Sequence, residues 1–195
     1  MQKGILLVVS GPAGVGKGTI IKEIMAENDN IHMSVSATTR NPRAGDSEGV
    51  TYYFKTKDEF SKMIKNDEML EWAVYSDNFY GTPKTPVIEA LEKGNDVILE
   101  IEVQGALQVK AHYPEGVFVF VMPPSLTELE RRITDRGTES KEEIEKRMST
   151  ARKELEFLNK YNYIIINEDI KTAADDLAAI LRSSRLTKER HFNKN

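Results

Sequence analysis

Gly11, Gly16 and Lys17 stand at the spacing of a phosphate-binding loop within the run Gly11-Pro12-Ala13-Gly14-Val15-Gly16-Lys17-Gly18-Thr19. The apolar run Ile5 to Val9 precedes it and the helical pattern Ile20, Ile21, Ile24, Met25 follows. Strand, glycine loop and helix in that order are the context in which such a loop works. Glycines let successive N–H groups turn inward into an anion nest, and the helix behind adds its positive dipole end. Lys17 supplies a mobile point charge for the β- and γ-phosphates of a nucleoside triphosphate. Gly18 is irregular, because that position of the motif carries the Ser or Thr whose hydroxyl meets magnesium.

Four further groups of residues could carry chemistry. Arg40 and Arg43, with Tyr52 and Tyr80, offer planar donors and phenol hydroxyls to a second phosphate; the ordinary alternative is that they lie along the surface. Glu71 sits in the apolar setting Met69-Leu70-Glu71-Trp72-Ala73, where an inward carboxylate needs donors. Guanine presents two adjacent donors on its Watson–Crick edge, which one carboxylate accepts together; simple alternation would instead turn Glu71 to solvent. Ser36 and Thr82 add hydroxyls. Glu100 and Glu102, two apart at the end of a strand, project to one side and suit magnesium held with its water shell, or a nearby basic partner. Arg132, Arg136 and Arg147 could stabilise a transferred phosphoryl group from a lid, whereas Arg131 reads as a solvated residue paired along its helix. The histidines at 32, 112 and 191 share no spacing, and the lone Trp72 is expected in the core.

The elements that must position these groups follow from periodicity and punctuation. Strands are predicted near 5–9, 31–36, 96–102, 117–122 and 163–166, with helices between them, which implies an α/β fold with a parallel sheet covered on both faces. Ligands of such sheets sit beyond the C-terminal strand ends, where the P-loop, Ser36, Glu100, Glu102 and Asn167 fall. Capping boxes are predicted at Thr56/Glu59, Ser125/Glu128 and Ser140/Glu143, and Gly94 is a C′ glycine. The stretch 34–82 lacks βα alternation and reads as an inserted mixed subdomain. At 195 residues the chain fits one such domain with insertions. A net charge of −4 argues against a general nucleic-acid binder, and zero cysteines exclude disulfides and thiolate metal sites. The expectation is a cytoplasmic protein with no membrane span and no targeting segment.

The ordered set Ser36-Ala37-Thr38-Thr39-Arg40-Asn41-Pro42-Arg43, Glu71-Trp72-Ala73, Tyr80-Gly81-Thr82, Gln104-Gly105 and Arg136-Gly137-Thr138-Glu139 resembles the guanylate kinases over about Gly4 to Leu186. The resemblance implies a P-loop three-layer fold with a central parallel five-stranded sheet: a core of 1–33, 83–124 and 148–195, a GMP-binding subdomain of 34–82 and a helical lid of 125–147. It implies transfer of the ATP γ-phosphoryl group to GMP or dGMP with Mg2+; the partners expected are these small molecules, with no nucleic acid and no membrane. Gly11 to Thr19 would bind ATP, with Asn167 near its adenine. Ser36, Glu71 and Thr82 would read guanine, Arg40, Arg43, Tyr52 and Tyr80 would hold the GMP phosphate, and Glu100 and Glu102 would lie near GMP and the metal. Lys17, Arg132, Arg136 and Arg147 would be catalytic. Two departures touch the magnesium side: Gly18 replaces the usual Ser, as in adenylate kinases, and Glu102 stands where Asp is more usual. Two alternatives stay open, an inactive protein-binding module of this kind and a monophosphate kinase with another base preference.

Overall fold

The computed structural model describes residues 2–135, 140–188 and 190. Strand β1 (Leu6–Ser10) is five residues with every side chain buried, so it needs cover on both faces and partners on both edges. It pairs in parallel with β7 (Asp96–Glu100) on one side and β8 (Val117–Met122) on the other. With β2 (Ile31–Met33) and β9 (Tyr163–Ile166) these form a five-stranded parallel sheet of order β2-β7-β1-β8-β9.

Side chains alternate across that sheet. Leu7 and Val9 face α1 (Lys17–Ala26) and α7 (Ile170–Ser184) through Ile20, Ile21, Ile24, Leu177 and Leu181. Leu6 and Val8 face α3 (Lys84–Glu92) and α4 (Val103–His112) through Val87, Leu91, Ala106 and Val109. Each such side chain contributes about 1.5–3 kcal/mol on full burial, so the loops at the strand ends rest on a fully packed core. Among the described residues no helix is long and apolar enough to cross a membrane.

A second, four-stranded sheet has the order β4-β3-β6-β5, with β3 (Ser36–Thr38), β4 (Tyr52–Phe54), β5 (Met69–Tyr75) and β6 (Asn78–Pro83). β5 and β6 form a hairpin through Ser76 and Asp77, both at positive φ (45° and 64°), the twist that a two-residue connection requires. Its small core joins Ala37, Phe60 and Met69, with Phe60 stacked on Phe79 at 5.2 Å. Phe60 comes from α2 (Lys57–Lys65), opened by the complete Thr56/Glu59 capping box. Helix α4 lies along β5. Gln108 accepts from Trp72 N at 3.1 Å and donates to Trp72 O at 2.9 Å, and one turn later His112 Nδ1 lies 3.0 Å from Leu70 O. The helices α5 (Leu126–Thr134) and α6 (Lys141–Leu155) pack on each other beside the first sheet, and Ser140/Glu143 forms its capping box.

The structure departs from the sequence expectations at four points. The strand predicted at 31–36 is two: β2 ends at Met33 and Ser36 opens β3 in the other sheet, so Ser36 reaches the site from the second sheet. β7 stops at Glu100, and Glu102 is the N-cap residue of α4. Trp72 is 37% exposed, because the alternation that buries Glu71 turns its neighbour outward. At Ser125 only half of the capping box forms: the Ser125 hydroxyl accepts from Glu128 N, but the Glu128 carboxylate is taken by Arg131 and Arg132.

Candidate active site

The P-loop bridges β1 and α1. Gly16 is the N-cap residue at φ 96°, and no side chain caps the helix, which leaves an end of the kind that receives an anion. A side chain at Gly16 would begin 2.5 Å from Asn167 Nδ2. That closeness is used, since Asn167, 1% exposed just beyond β9, donates from Nδ2 to Val15 O at 2.7 Å. Asn167 is thus a brace for the loop, a role that its position at a strand end did not disclose. Its Oδ1 is buried without a partner among the described residues. The Lys17 ammonium donates to Gly11 O at 2.6 Å and Pro12 O at 3.2 Å, folded against its own loop. Gly14, Val15, Gly16, Arg132, Asp135, Asn167, Glu168 and Ile170 enclose a cleft of about 350 Å³ over this loop.

Behind the loop, Ser10 Oγ, the Tyr161 hydroxyl and Glu154 Oε2 are buried without a well-formed hydrogen bond among the described residues. Burial pushes the Tyr161 phenol up to about 12, although the facing Ser10 hydroxyl opposes that. Burial likewise raises the Glu154 carboxyl, against the pull of Lys17.

A second cleft of about 420 Å³ opens between the two sheets, and Ser36, Tyr52, Glu71, Tyr80, Glu100 and Glu102 all line it. Glu71 is 6% exposed and accepts from the Thr82 hydroxyl at 2.7 Å. Burial raises its carboxyl above the ordinary range, Thr82 hydrogen bonds oppose this, and the Glu102 charge adds to it. Thr82 is fully buried and addresses the site through Glu71. Arg40 lies against the Tyr52 ring at 5.4 Å, and Tyr52 meets Tyr80 edge-on at 6.1 Å. Asp46 holds the loop: it accepts from Arg40 Nη2 at 2.9 Å and from Arg43 N at 2.7 Å, and the Arg43 N–H and then Arg40 keep its carboxyl below the usual range. The Arg43 side chain is exposed. Sequence reasoning missed Asp46, although an Asp six residues after Arg40 in a turn-rich loop is a fair signal for such a clasp.

Glu100 links the second cleft to the first turn of α1. It lines the second, and a side chain at Gly18 would begin 3.4 Å from its Oε2 and 3.7 Å from its Oε1. Arg132 donates to Glu128 at 2.7 Å and to Asn167 O at 3.0 Å, at the rim of the P-loop cleft. Arg147 lies half-buried on α6, beyond the residues lining either cleft. Arg136 lies outside the described residues. Arg131 is exposed and bound to Glu128 and Asp135, as expected of a solvated pair.

A family model described as guanylate kinase matches residues 3–184. The guanylate kinase of Clostridioides difficile is 55% identical over 193 residues, covering 99% of this chain and 94% of its own. That of Bacillus subtilis is 50% identical over 190 residues, with 97% and 93% covered. The crystal structure of guanylate kinase from Anaplasma phagocytophilum superposes with a TM-score of 0.75 at 35% identity, covering 97% of this chain and 90% of its own. A P-loop cleft and a carboxylate-floored cleft thus coincide with near full-length similarity, and the chain belongs to the guanylate kinase family.

Proposed function

We propose how this chain, as a member of that family, divides the work of phosphorylating GMP with ATP. The P-loop N–H groups and Lys17 hold the ATP phosphates, and Asn167 Oδ1 offers an acceptor to the adenine amino group. Glu71 accepts N1–H and the exocyclic amino group of guanine, with Ser36 contributing a hydroxyl at the same cleft. Arg40, Arg43, Tyr52 and Tyr80 receive the GMP phosphate, Arg40 exchanging Asp46 for the stronger anion. The observation that carries this reading is Glu100, which lines the acceptor cleft and faces Gly18 of the donor loop. The acceptor cleft therefore reaches the start of α1, beside the loop that would hold the phosphoryl donor.

A phosphate oxygen of GMP attacks the γ-phosphorus in line, and ADP leaves. The nucleophile is already an anion, so no covalent intermediate is required. Catalysis is positioning and charge neutralisation by Lys17 and by Arg132, Arg136 and Arg147 of the lid and its border. The segments 1–33, 83–124 and 148–195 act as the core, 34–82 as the GMP-binding part and 125–147 as the lid, and their closure excludes water.

The family requires a divalent metal with ATP, and we assign it as Mg2+. The residues present fit a magnesium that keeps several waters. Among the described residues no group of three or more His, Cys, Asp or Glu could cage a metal, while Glu100 and the space left by Gly18 offer one hard oxygen ligand and room for water. Glu100 would hold the ion through water, with Glu102 at more distance beyond the strand end. The metal neutralises charge on the phosphates when bound.

Coupled ADP-formation assays with GMP, dGMP and AMP test the assignment. GMP and dGMP should be good acceptors and AMP poor, and Lys17→Ala should lower kcat about 10²- to 10³-fold. Equal rates with AMP would sink the guanine assignment.

A further inference from the structure

Gly105 stands in the first turn of α4, at a place where its backbone does not require glycine. It is not among the glycines at positive φ. Alanine in a helix is favoured over glycine by about 1 kcal/mol, so something else must exclude a side chain. The structure supplies the reason. A Cβ on Gly105 would lie 2.8 Å from Glu71 Oε2, 3.3 Å from its Cδ and 3.4 Å from its Cγ. The helix therefore rests directly on the carboxylate that floors the acceptor cleft.

From this we infer that Gly105 is a positioning residue for base selection: its missing side chain sets where the Glu71 carboxylate stands. The inference rests on the reading of Glu71 as the guanine acceptor. Two observations show why the overlap could not be relieved cheaply. The helix cannot back away, because Gln108 holds both main-chain groups of Trp72 and His112 holds Leu70 O, all on the strand that carries Glu71. The carboxylate is fixed from the other side by the fully buried Thr82, whose hydroxyl donates to Oε1 at 2.7 Å. An added methyl must push the carboxylate off Thr82 or into the space reserved for the base. Misplacement of a binding group by about 1 Å costs up to 10²-fold.

Steady-state kinetics with GMP and AMP on the parent, Gly105→Ala, Glu71→Ala and the double variant test this. Gly105→Ala should raise KM for GMP about tenfold and lower the GMP-to-AMP preference about tenfold, with KM for ATP within about twofold. In the Glu71→Ala background the same change should alter KM for GMP less than about twofold, because the residue it acts through is gone. If Gly105→Ala folds poorly, Glu71→Asp combined with Gly105→Ala, whose shorter carboxylate clears the overlap, should regain the thermal midpoint of Glu71→Asp alone. An unchanged preference in Gly105→Ala beside a collapsed one in Glu71→Ala overturns the inference and leaves the guanine reading standing. Equal effects of Gly105→Ala in both backgrounds also overturn it. An unchanged preference in Glu71→Ala overturns both.

Discussion

Arg132 donates through Nη1 to the main-chain carbonyl of Asn167 at 3.0 Å, and Asn167 in turn holds the P-loop through Val15 O. A residue of α5 is thereby tied to the P-loop cleft, whereas its neighbour Arg131 is spent on Glu128 and Asp135 in solvent. Arg132→Ala should lower kcat at least about 10²-fold, in the range of losing one donor to a developing charge. Arg131→Ala should leave kcat within about twofold. Parallel turnover measurements on the two variants check the contrast, and equal losses would refute it.

Glu71 yields a prediction with a sign in pH. Its folded-state pKa is raised from 4.5, chiefly by burial. The stability it contributes is therefore complete below its unfolded value and is lost as pH rises through the folded value, where the carboxylate ionises inside the fold. Glu71→Gln removes that cost. Its thermal midpoint relative to the parent should climb between pH 4 and pH 8, reaching about 2–4 °C, the shift that ~1 kcal/mol gives a chain of this size. KM for GMP should meanwhile rise about tenfold or more, the worth of one hydrogen bond to a charged group. A midpoint difference that is flat with pH would contradict the assignment.

The room at Gly18 allows a direct trial of the motif's irregular position. A Cβ there would meet Glu100 Oε2 at 3.4 Å, ordinary van der Waals contact. Gly18→Ser should fold, keep kcat within about threefold and tighten divalent binding by placing a hydroxyl beside Glu100. Manganese titration of the nucleotide complex, followed by electron paramagnetic resonance, reads the metal affinity separately from turnover. Looser binding in Gly18→Ser would show that Glu100 and position 18 do not share the ion.

Behind the P-loop the Tyr161 hydroxyl is buried without a well-formed partner among the described residues. Leaving a polar group in that state costs about 1–3 kcal/mol. Tyr161→Phe keeps the ring, packed edge-on against Phe120 at 5.0 Å, and should raise the thermal midpoint by about 2–4 °C. A lowered midpoint would mean that the contact with Ser10 is a working hydrogen bond.

The five-stranded sheet and the P-loop were legible because unbroken apolar runs and a spaced glycine motif are local signals. The second sheet was only partly so. Its strands are short, and the break between β2 and β3 at Ser34 and Val35 has no Gly, Pro, Asn or Asp to mark it. Trp72 was assigned to the core on residue type, but one apolar residue cannot choose a face when its neighbour Glu71 has claimed the inner one. The half-formed box at Ser125 failed for a similar reason: Glu128 had two arginines within one turn competing for the same oxygens, and together they bring its carboxyl down to about 2. Gly105 as a contact surface and Asn167 as a brace depend on residues distant in sequence, which spacing does not encode.

Gln108 and His112, one helical turn apart, occupy outward-facing main-chain groups of β5 at Trp72 and Leu70. β5 is the terminal strand of its sheet, and such a strand is a template on which another chain could continue the ladder. The helix therefore does more than carry Gly105 to Glu71: it blunts an aggregation-prone border with side chains in place of a further strand. Intermolecular strand addition is thus barred along the inner length of β5 and left open only near the hairpin tip, where Val74 and Tyr75 are exposed.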